Sequence, residues 1–466
     1  MAIDTPSNSH IHQEQKRQLP RALYGGTESM RNARETYLPK EPGELSGMYE
    51  GRLKRSFLKN YIKSAIQGTR AKIFAAPIEV NDYPNEEIID DVDMQGTDLT
   101  SFASDLYTEG CKDGMSLILV DSPTLEDGAS QADVIDNNVR PFFTVIKASQ
   151  VLGVKIVMVK NVPTLSDIRI KESHTEVSED YEETVYDQIR HMQLVVLGEE
   201  GEEYLAVMAT IYRKLTDDDE WQIVTSVALD VPRIPVAVYY TNQTGPYEAE
   251  PFFEDLAWLN LQHWQSSSDQ NNILHFVRVP RFYGFGFKQE EVEKLEKHGI
   301  ASFVYSTKAP TDVKAGWIEA KGDSIKQGQD SIDKLEESLE AASLEPLVSK
   351  ATADITATKT KTDAAKANSM IQFWARSLGA AIDDALNLAD MFLGREESNH
   401  SVKVNDDFNL VDDGDKKAKE IREWRGARLI SHETALNAGK GLSDFLPKDL
   451  DVIAEIEKVQ NEMPVE

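Results

Sequence analysis

The chain has 466 residues, 40% of them hydrophobic and 8% aromatic, enough apolar material for roughly two to four folded units. Its 80 Asp/Glu outnumber its 50 Lys/Arg, and the net charge of −30 argues against a main surface that grips nucleic acid. No run approaches about 18 apolar residues, residues 1–12 lack an apolar core, and Cys111 stands alone, so no membrane-spanning helix, secretion signal or intrachain disulfide is expected.

The charge is unevenly placed. Residues 1–72 hold thirteen Lys/Arg against seven Asp/Glu, whereas residues 171–230 hold four against sixteen. Residues 1–36 contain few large apolar side chains and a Gly25-Gly26 pair, and read as an extended basic arm. Beyond the proline-punctuated segment 37–44, Tyr49, Leu53, Phe57, Tyr61, Ala65 and Thr69 repeat every four residues. That spacing predicts one helix, with Lys54, Arg55, Lys59 and Lys63 on its polar side.

Thr97 reads as the cap of a helix carrying Leu99, Phe102, Ala103 and Leu106, closed by Gly110. Leu117, Ile118, Leu119 and Val120 then form a short buried strand. Six further strands are predicted at 142–146, 151–159, 188–197, 204–212, 221–229 and 234–240. Acidic or Asn/Pro turns separate them, as in an antiparallel meander, so residues 37–250 read as an α+β unit.

Residues 251–276 predict a helix, because Phe253, Leu256, Leu261 and Trp264 share one face. It continues through the polar run from Gln265 to Asn272, which is too polar for the core of a single chain. An insert at 277–322 has eight Lys/Arg against six Asp/Glu, an aromatic run from Pro280 to Phe287, a strand near 302–305, and Trp317-Ile318. A second helix is predicted at 323–344, with Asp323 as its cap. Along it Ile325, Gly328, Ile332, Leu335, Leu339 and Ala342 make a thin seam beside Asp330, Asp333, Glu336, Glu337 and Glu340. A stripe that narrow suits helix-on-helix packing.

Pro346 ends that helix, since proline cannot continue it. Residues 354–393 form one long helix with the stripe Ile371, Trp374, Leu378, Ile382, Ala385, Leu388 and Phe392. Beyond Gly394, helices are expected at 415–428, from Ser431 onward, and at 449–462.

No catalytic motif is present. The chain lacks a phosphate-binding GxxxxGK[ST] loop, and Gly284-Phe285-Gly286 lacks the third glycine of a dinucleotide fingerprint. No Cys/His spacing fits zinc, and Val411 stands where a calcium loop from Asn409 to Glu420 needs an oxygen ligand. Neither an enzyme activity nor a cofactor is therefore expected.

Several segments resemble one family of tailed-bacteriophage portal proteins. They are Tyr37-Leu38-Pro39-Lys40 leading to Tyr49-Glu50-Gly51-Arg52-Leu53, Gly114 to Asp121, Arg140-Pro141-Phe142, Asp255 to Asn260, Gln265 to His275, Thr356-Ala357-Thr358 and Leu429 to Thr434. The resemblance implies a portal-like α+β fold: an arm at 1–36, an α/β wing with antiparallel strands at 37–250, and a stem helix at 251–276. It further implies a small α/β clip at 277–322, a second stem helix at 323–344, a tunnel loop at 345–353, a long wing or tunnel helix at 354–393 and a helical crown at 394–466.

Such proteins form a ring, twelve subunits in the virion, at one capsid vertex, assembled in the host cytoplasm. The partners implied are copies of the same chain, the major capsid protein, the terminase large subunit, the head–tail adaptor, and double-stranded DNA passing without sequence recognition. In that frame Ile325, Ile332, Leu335, Leu339 and Ala342 would be a subunit contact. Asp330, Asp333, Glu336, Glu337 and Glu340 would line the channel. Glu345, Pro346, Leu347, Val348, Ser349 and Lys350 would form the tunnel loop, and Arg278, Arg281, Phe282, Tyr283, Phe285 and Phe287 the clip contacts. A head–tail adaptor or minor head protein is the alternative reading, and an unrecognised enzyme using the acidic stretch 171–230 is a third.

Overall fold

The computed structural model describes residues 2–123, 139–159, 161–198, 204–214, 220–277, 281–285, 289, 314–318, 322–343, 357–395, 398–408, 414–427, 429–439 and 451–456. The chain divides into two compact units, Met1–Asp406 and Asp407–Glu466.

Residues 8–36 are largely helical and docked, not an extended arm. Helix α1 (Asn8–Tyr24) starts at Ser7, whose hydroxyl accepts from the His10 amide at 3.2 Å, and α2 (Thr27–Asn32) follows. Arg17, 1% exposed, donates to the Asp113 carbonyl at 2.9 Å, to Gln13 Oε1 at 2.6 Å and to the Ala249 carbonyl at 3.0 Å. Arg21 is held by Glu14 and Asp113, and Lys16 by Glu250. Burial pushes the Asp113 carboxyl up, against the pull of Arg21 and Arg17. The cations that resembled a free arm thus neutralise acids of the same chain.

The helix expected across residues 49–69 is two. Helices α3 (Ser46–Arg55) and α4 (Tyr61–Ile73) are separated by a turn in which Asn60 caps α4, its side chain accepting from the Lys63 amide at 2.9 Å. Phe57 falls in that turn and is 66% exposed, so its place in the four-residue repeat was coincidental. Strand β1 (Glu79–Asn81) and the short helix α5 (Glu86–Asp90) lead to α6 (Leu99–Asp113), capped by Asp98 rather than Thr97. That helix runs through Gly110 and ends at Gly114. Gly114 has φ +88°, and a Cβ there would collide with the Glu250 carbonyl, so only glycine lets the helix end against the 248–250 segment.

Strand β2 (Met115–Asp121) pairs antiparallel with β3 (Phe142–Lys147) on one side and with β9 (Val236–Tyr240) on the other. Its first six residues are all buried, as expected of a strand covered on both faces. The remaining strands form a separate five-stranded antiparallel meander, β4 (Val151–Val159), β5 (Val162–Val177), β6 (Glu183–Leu197), β7 (Tyr204–Arg213) and β8 (Gln222–Leu229). Strand β5, sixteen residues long, has no counterpart among the predicted strands. The two sheets meet in a core containing Leu117, Leu119, Ile146, Ile168, Met192, Val207 and Val236. The fold is α+β with antiparallel sheets, as the sequence implied.

Helix α7 (Glu254–Val277) buries Phe253, Leu256, Ala257, Leu261 and Trp264 at and near its start, where α1, α3 and α4 pack on it. A two-stranded ladder, β12 (Arg281–Phe285) with β13 (Lys314–Ile318), lies between it and α8 (Gly322–Ala342) in the chain. Two short strands, β10 (Gln243–Gly245) and β11 (Glu248–Ala249), precede α7. The long helix α9 (Ala357–Phe392) packs on β9, β2 and α6. Its stripe is fully buried from Ile371 to Ala389, and the Trp374 indole N–H donates to the Thr241 carbonyl at 2.9 Å.

Strand β14 (Ser401–Lys403) pairs with β1 in the first unit. The expected crown boundary at Gly394 therefore moves to Asp406/Asp407. The second unit holds α10 (Gly414–Gly426), α11 (His432–Gly439) and a helical turn at 452–456. Ser431 caps α11 as anticipated, its hydroxyl accepting from the Thr434 amide at 3.0 Å.

Candidate functional site

Among the described residues, the helix pair α7/α8 carries most of those with an expected role. Its order is antiparallel: His263 meets Glu336, whereas Gln270, further along α7, meets Ile325 near the start of α8. Helix α8 has α7 as its principal packing partner.

The seam of α8 is occupied within the single chain. Leu339 is fully buried and Ile332 is 8% exposed, Ile325 and Leu335 are half-buried, and Ala342 is exposed. Gly328 lies so close to Gln270 that a Cβ would strike its Oε1. Ile332 and Leu339, expected at a subunit contact, are buried within the single chain, in a helix along which α7 packs. The thin apolar stripe correctly marked a helix partner. Nothing in the stripe distinguishes a partner in the same chain from one in another.

The polar run of α7 is explained by the same packing. Ser268, 2% exposed, bonds the Ser56 hydroxyl at 2.8 Å. Gln270, 6% exposed, donates to the Ile325 carbonyl at 2.9 Å. Asn272 Oδ1 accepts from Arg55 at 2.8 Å. These side chains join α7 to α3 and α8 inside one chain, so the expectation that the run is too polar for the core of a single chain is corrected for Ser268 and Gln270.

The acidic residues of α8 divide into two sets. Glu336 turns inward, 2.8 Å from Lys59 Nζ and 3.0 Å from His263 Nε2. Burial raises its carboxyl, and the hydrogen bonds and charges of Lys59 and His263 outweigh that, leaving it below its ordinary range. Glu336, expected among the channel-lining acids, is thus held by Lys59 and His263 of the same chain. Asp330, Asp333, Glu337 and Glu340 are exposed. At 100° per residue they fall within an arc of roughly 80°, on the side opposite the buried seam. Four carboxylates in one outward stripe form a surface that attracts cations and repels phosphates.

A second set of side chains anchors the base of α7. Arg52, 3% exposed, donates to Glu44 Oε1 at 3.0 Å and Oε2 at 2.9 Å, and to the Pro39 carbonyl at 2.7 Å. Its Nη1 lies 3.4 Å from Asp269 of α7. The Arg52 hydrogen bonds hold the Glu44 carboxyl below its ordinary range. Asn260, fully buried in α7, accepts from the Tyr61 amide at 3.1 Å and donates to the Lys59 carbonyl at 2.9 Å. No anchoring role was expected of Asn260, His263 or Arg52; for Asn260 and His263 the available signal was a polar residue on the apolar face of α7.

Of the expected clip residues, Arg281 to Phe285 form β12, with Arg281 opposite Ile318 and Phe285 opposite Lys314. Phe285 is exposed. Arg278, Phe287, the strand near 302–305 and the tunnel loop Glu345, Pro346, Leu347, Val348, Ser349 and Lys350 lie outside the described residues. Among the described residues there is no metal-binding cluster of His, Cys, Asp or Glu, and no helix is long and apolar enough to cross a membrane.

Residues 252–393 match a family model described as Domain of unknown function (DUF4055). No curated protein matches the chain. Among solved structures, the neck of an empty GTA particle computed with C6 symmetry aligns with TM-score 0.46 at 10% identity, over 86% of this chain and 96% of that one. A chain in the virion of a native gene transfer agent (GTA) particle aligns with TM-score 0.43 at 10% identity, over 87% and 97%. The neck of the native GTA particle computed with C12 symmetry gives TM-score 0.43 at 10% identity, over 80% and 88%.

Proposed function

We propose that the chain is the ring-forming portal subunit of a tailed-phage-like particle. Twelve copies, by the resemblance, would surround a channel at one capsid vertex, through which double-stranded DNA enters on packaging and leaves on ejection. The observation that carries this reading is the helix pair α7/α8. It ties to the wing through Arg52, Asn260 and Lys59 at one end, and spans β12/β13 in the chain at the other. Along its free side it presents the carboxylates Asp330, Asp333, Glu337 and Glu340.

A conduit must not hold its cargo. Each Lys or Arg on a phosphate releases counterions and adds affinity that must be undone at every step of translocation. An outward acidic stripe instead keeps a layer of mobile cations between wall and duplex. The β12/β13 ladder is the contact proposed for the terminase large subunit during packaging and for the head–tail adaptor afterwards. The wing is the part proposed to meet the major capsid protein. With no nucleotide-binding loop in the sequence, the work of translocation falls to the partner ATPase, and this chain performs no catalysis.

Negative-stain electron microscopy and native mass measurement of the purified protein test the reading. Closed rings with a central channel are expected. Uniform monomers or dimers at high concentration across a range of salt would refute it.

A further inference from the structure

The end of α9 holds a buried row of polar groups. Asp390 is fully buried, and its Oδ2 accepts from the Ser398 hydroxyl at 2.7 Å and from the Ser398 amide at 3.2 Å. The same hydroxyl lies 2.8 Å from His400 Nδ1. The His400 side chain is 1% exposed, and its Nε2 lies 3.3 Å from Asp383 Oδ1, an ion-pair distance but off the line of a hydrogen bond. The Tyr83 ring stands edge-on to the imidazole, with 5.2 Å between centroids. Burial, and then the Asp390 carboxylate, push the Tyr83 hydroxyl up, so it brings no charge to the row. Among the described residues no Lys or Arg pairs with Asp390. Arg376 pairs with Asp406, Lys403 with Glu79, and Arg395 is exposed in the connection.

The hydrogens available along this row set its charge. With Asp390 ionised and His400 neutral, the Ser398 hydroxyl has one proton and two neighbours that could take it. If the proton points to Asp390, Nδ1–H must donate to the hydroxyl, and the bare Nε2 then faces the Asp383 carboxylate. If it points to Nδ1, Asp390 keeps a single amide donor and is a buried charge without a counterion. One added proton repairs both arrangements. It sits on the imidazole, with Ser398 donating to Asp390, or on Asp390, with Ser398 turned to donate to Nδ1. The two forms hold the same number of protons and interconvert through the hydroxyl.

We propose that Asp390, Ser398 and His400 share one proton, and that this proton latches residues 398–403 onto α9. The segment carries β14, which pairs with β1 over Ser401–Lys403, and it leads to the end of the first unit at Asp406. Losing the proton leaves the carboxylates of Asp383 and Asp390 around an uncharged ring. The closed segment binds a proton that an open one, with its carboxylates ionised and its imidazole neutral, does not hold near neutrality. The latch therefore weakens as pH rises. The charged groups that face His400 are Asp383 and Asp390 of α9, while the Lys403–Glu79 pair lies across β14 and β1.

Amide exchange over residues 79–81 and 401–403 of the full chain tests the latch, corrected for the intrinsic pH dependence and referred to the β2–β9 ladder. In the parent, relative protection should fall between about pH 6 and pH 9, with a limit of about tenfold per pH unit for one proton. Asp390→Asn replaces the shared proton by a permanent N–H donor to Ser398 and removes the buried charge. Its protection should stay near the parent's value at the lower pH and lose the slope. Ser398→Ala cuts the row, so protection should be low at both ends of the range. Parent protection that is the same at both ends would overturn the inference, and so would an Asp390→Asn variant that keeps the parent's slope. An Asp390→Asn variant as weakly protected as Ser398→Ala would overturn it too, because the segment would then need the carboxylate and not the proton. Should that variant fail to fold, the slope in the parent alone decides.

Discussion

Replacing Arg52 by Met isolates the anchor that ties α7 to α3 and the 39–44 segment. Its guanidinium is 3% exposed and its partner Glu44 has a side chain 8% exposed, so the variant leaves a buried carboxylate facing a thioether. Breaking a buried pair from one side costs about 3–5 kcal/mol. Asp269, the third member, is 53% exposed and regains water, so the lower end, about 3 kcal/mol, applies. Amide exchange in 37–55 and 260–272 should then accelerate about a hundredfold, while the β5–β6–β7 ladder is unchanged. In the double variant Arg52→Met with Glu44→Met no charge is stranded, and most of the protection should return. The pair should therefore show a coupling energy of at least about 1 kcal/mol. The sign with pH follows from Glu44. Its carboxyl is depressed in the folded chain, so the pair's contribution is present above the ordinary carboxylate pKa and is lost as pH falls through the folded value. Equal exchange in the single and double variants would refute the anchoring argument, because the loss would then come from packing alone.

Three further outcomes are expected. Asp167 of β5, with a carboxyl held down at about 2 by His191, Lys155 and Gln193 against the opposing effect of burial, should contribute on the order of 1–2 kcal/mol above about pH 4 and lose it toward pH 2. Asp167→Asn should remove that step from the pH profile of thermal unfolding. Leu339→Ala should cost about 2–5 kcal/mol and raise amide exchange in both α7 and α8 of the isolated chain; rings lost with unchanged exchange would instead mark Leu339 as a subunit contact. Gly114→Ala must adopt φ +88° against the Glu250 carbonyl, and a loss of about 2–3 kcal/mol should appear as a lower unfolding midpoint in urea.

Where a segment buries its own periodic face, the sequence was readable. The stripe of α9 from Ile371 to Ala389 lies where the period placed it. Reading failed where polar groups find partners far along the chain. Arg17 looked like part of a free arm because its acceptors, Asp113 and Ala249, are 96 and 232 residues away. Ser268 and Gln270 looked unsuited to a core because their partners Ser56 and Ile325 are 212 and 55 residues away. Strand β5 was missed because its second half, with Lys171, Glu172, His174 and Glu176, alternates weakly and faces solvent. The seam of α8 was legible as a helix contact but not as to which chain supplies the partner, since a stripe encodes width and not identity.

That ambiguity makes the outward stripe the more informative surface for function. Reversing Asp330, Asp333, Glu337 and Glu340 to Lys changes no buried contact, because all four side chains are exposed. The parent should not retain a random duplex near physiological salt. The reversed protein should, and the log–log salt slope should steepen by about 0.9 for each phosphate the new lysines reach, approaching about −3.6 if one chain engages all four. Topology then separates a channel from an outer wall. If the stripe lines a closed ring, linear duplex can thread and be held, whereas a covalently closed circle cannot reach the lysines. Equal binding of linear and closed circular DNA by preassembled rings would place the stripe on the outside and refute the conduit. A reversed protein that binds neither would mean that the duplex cannot approach α8 at all.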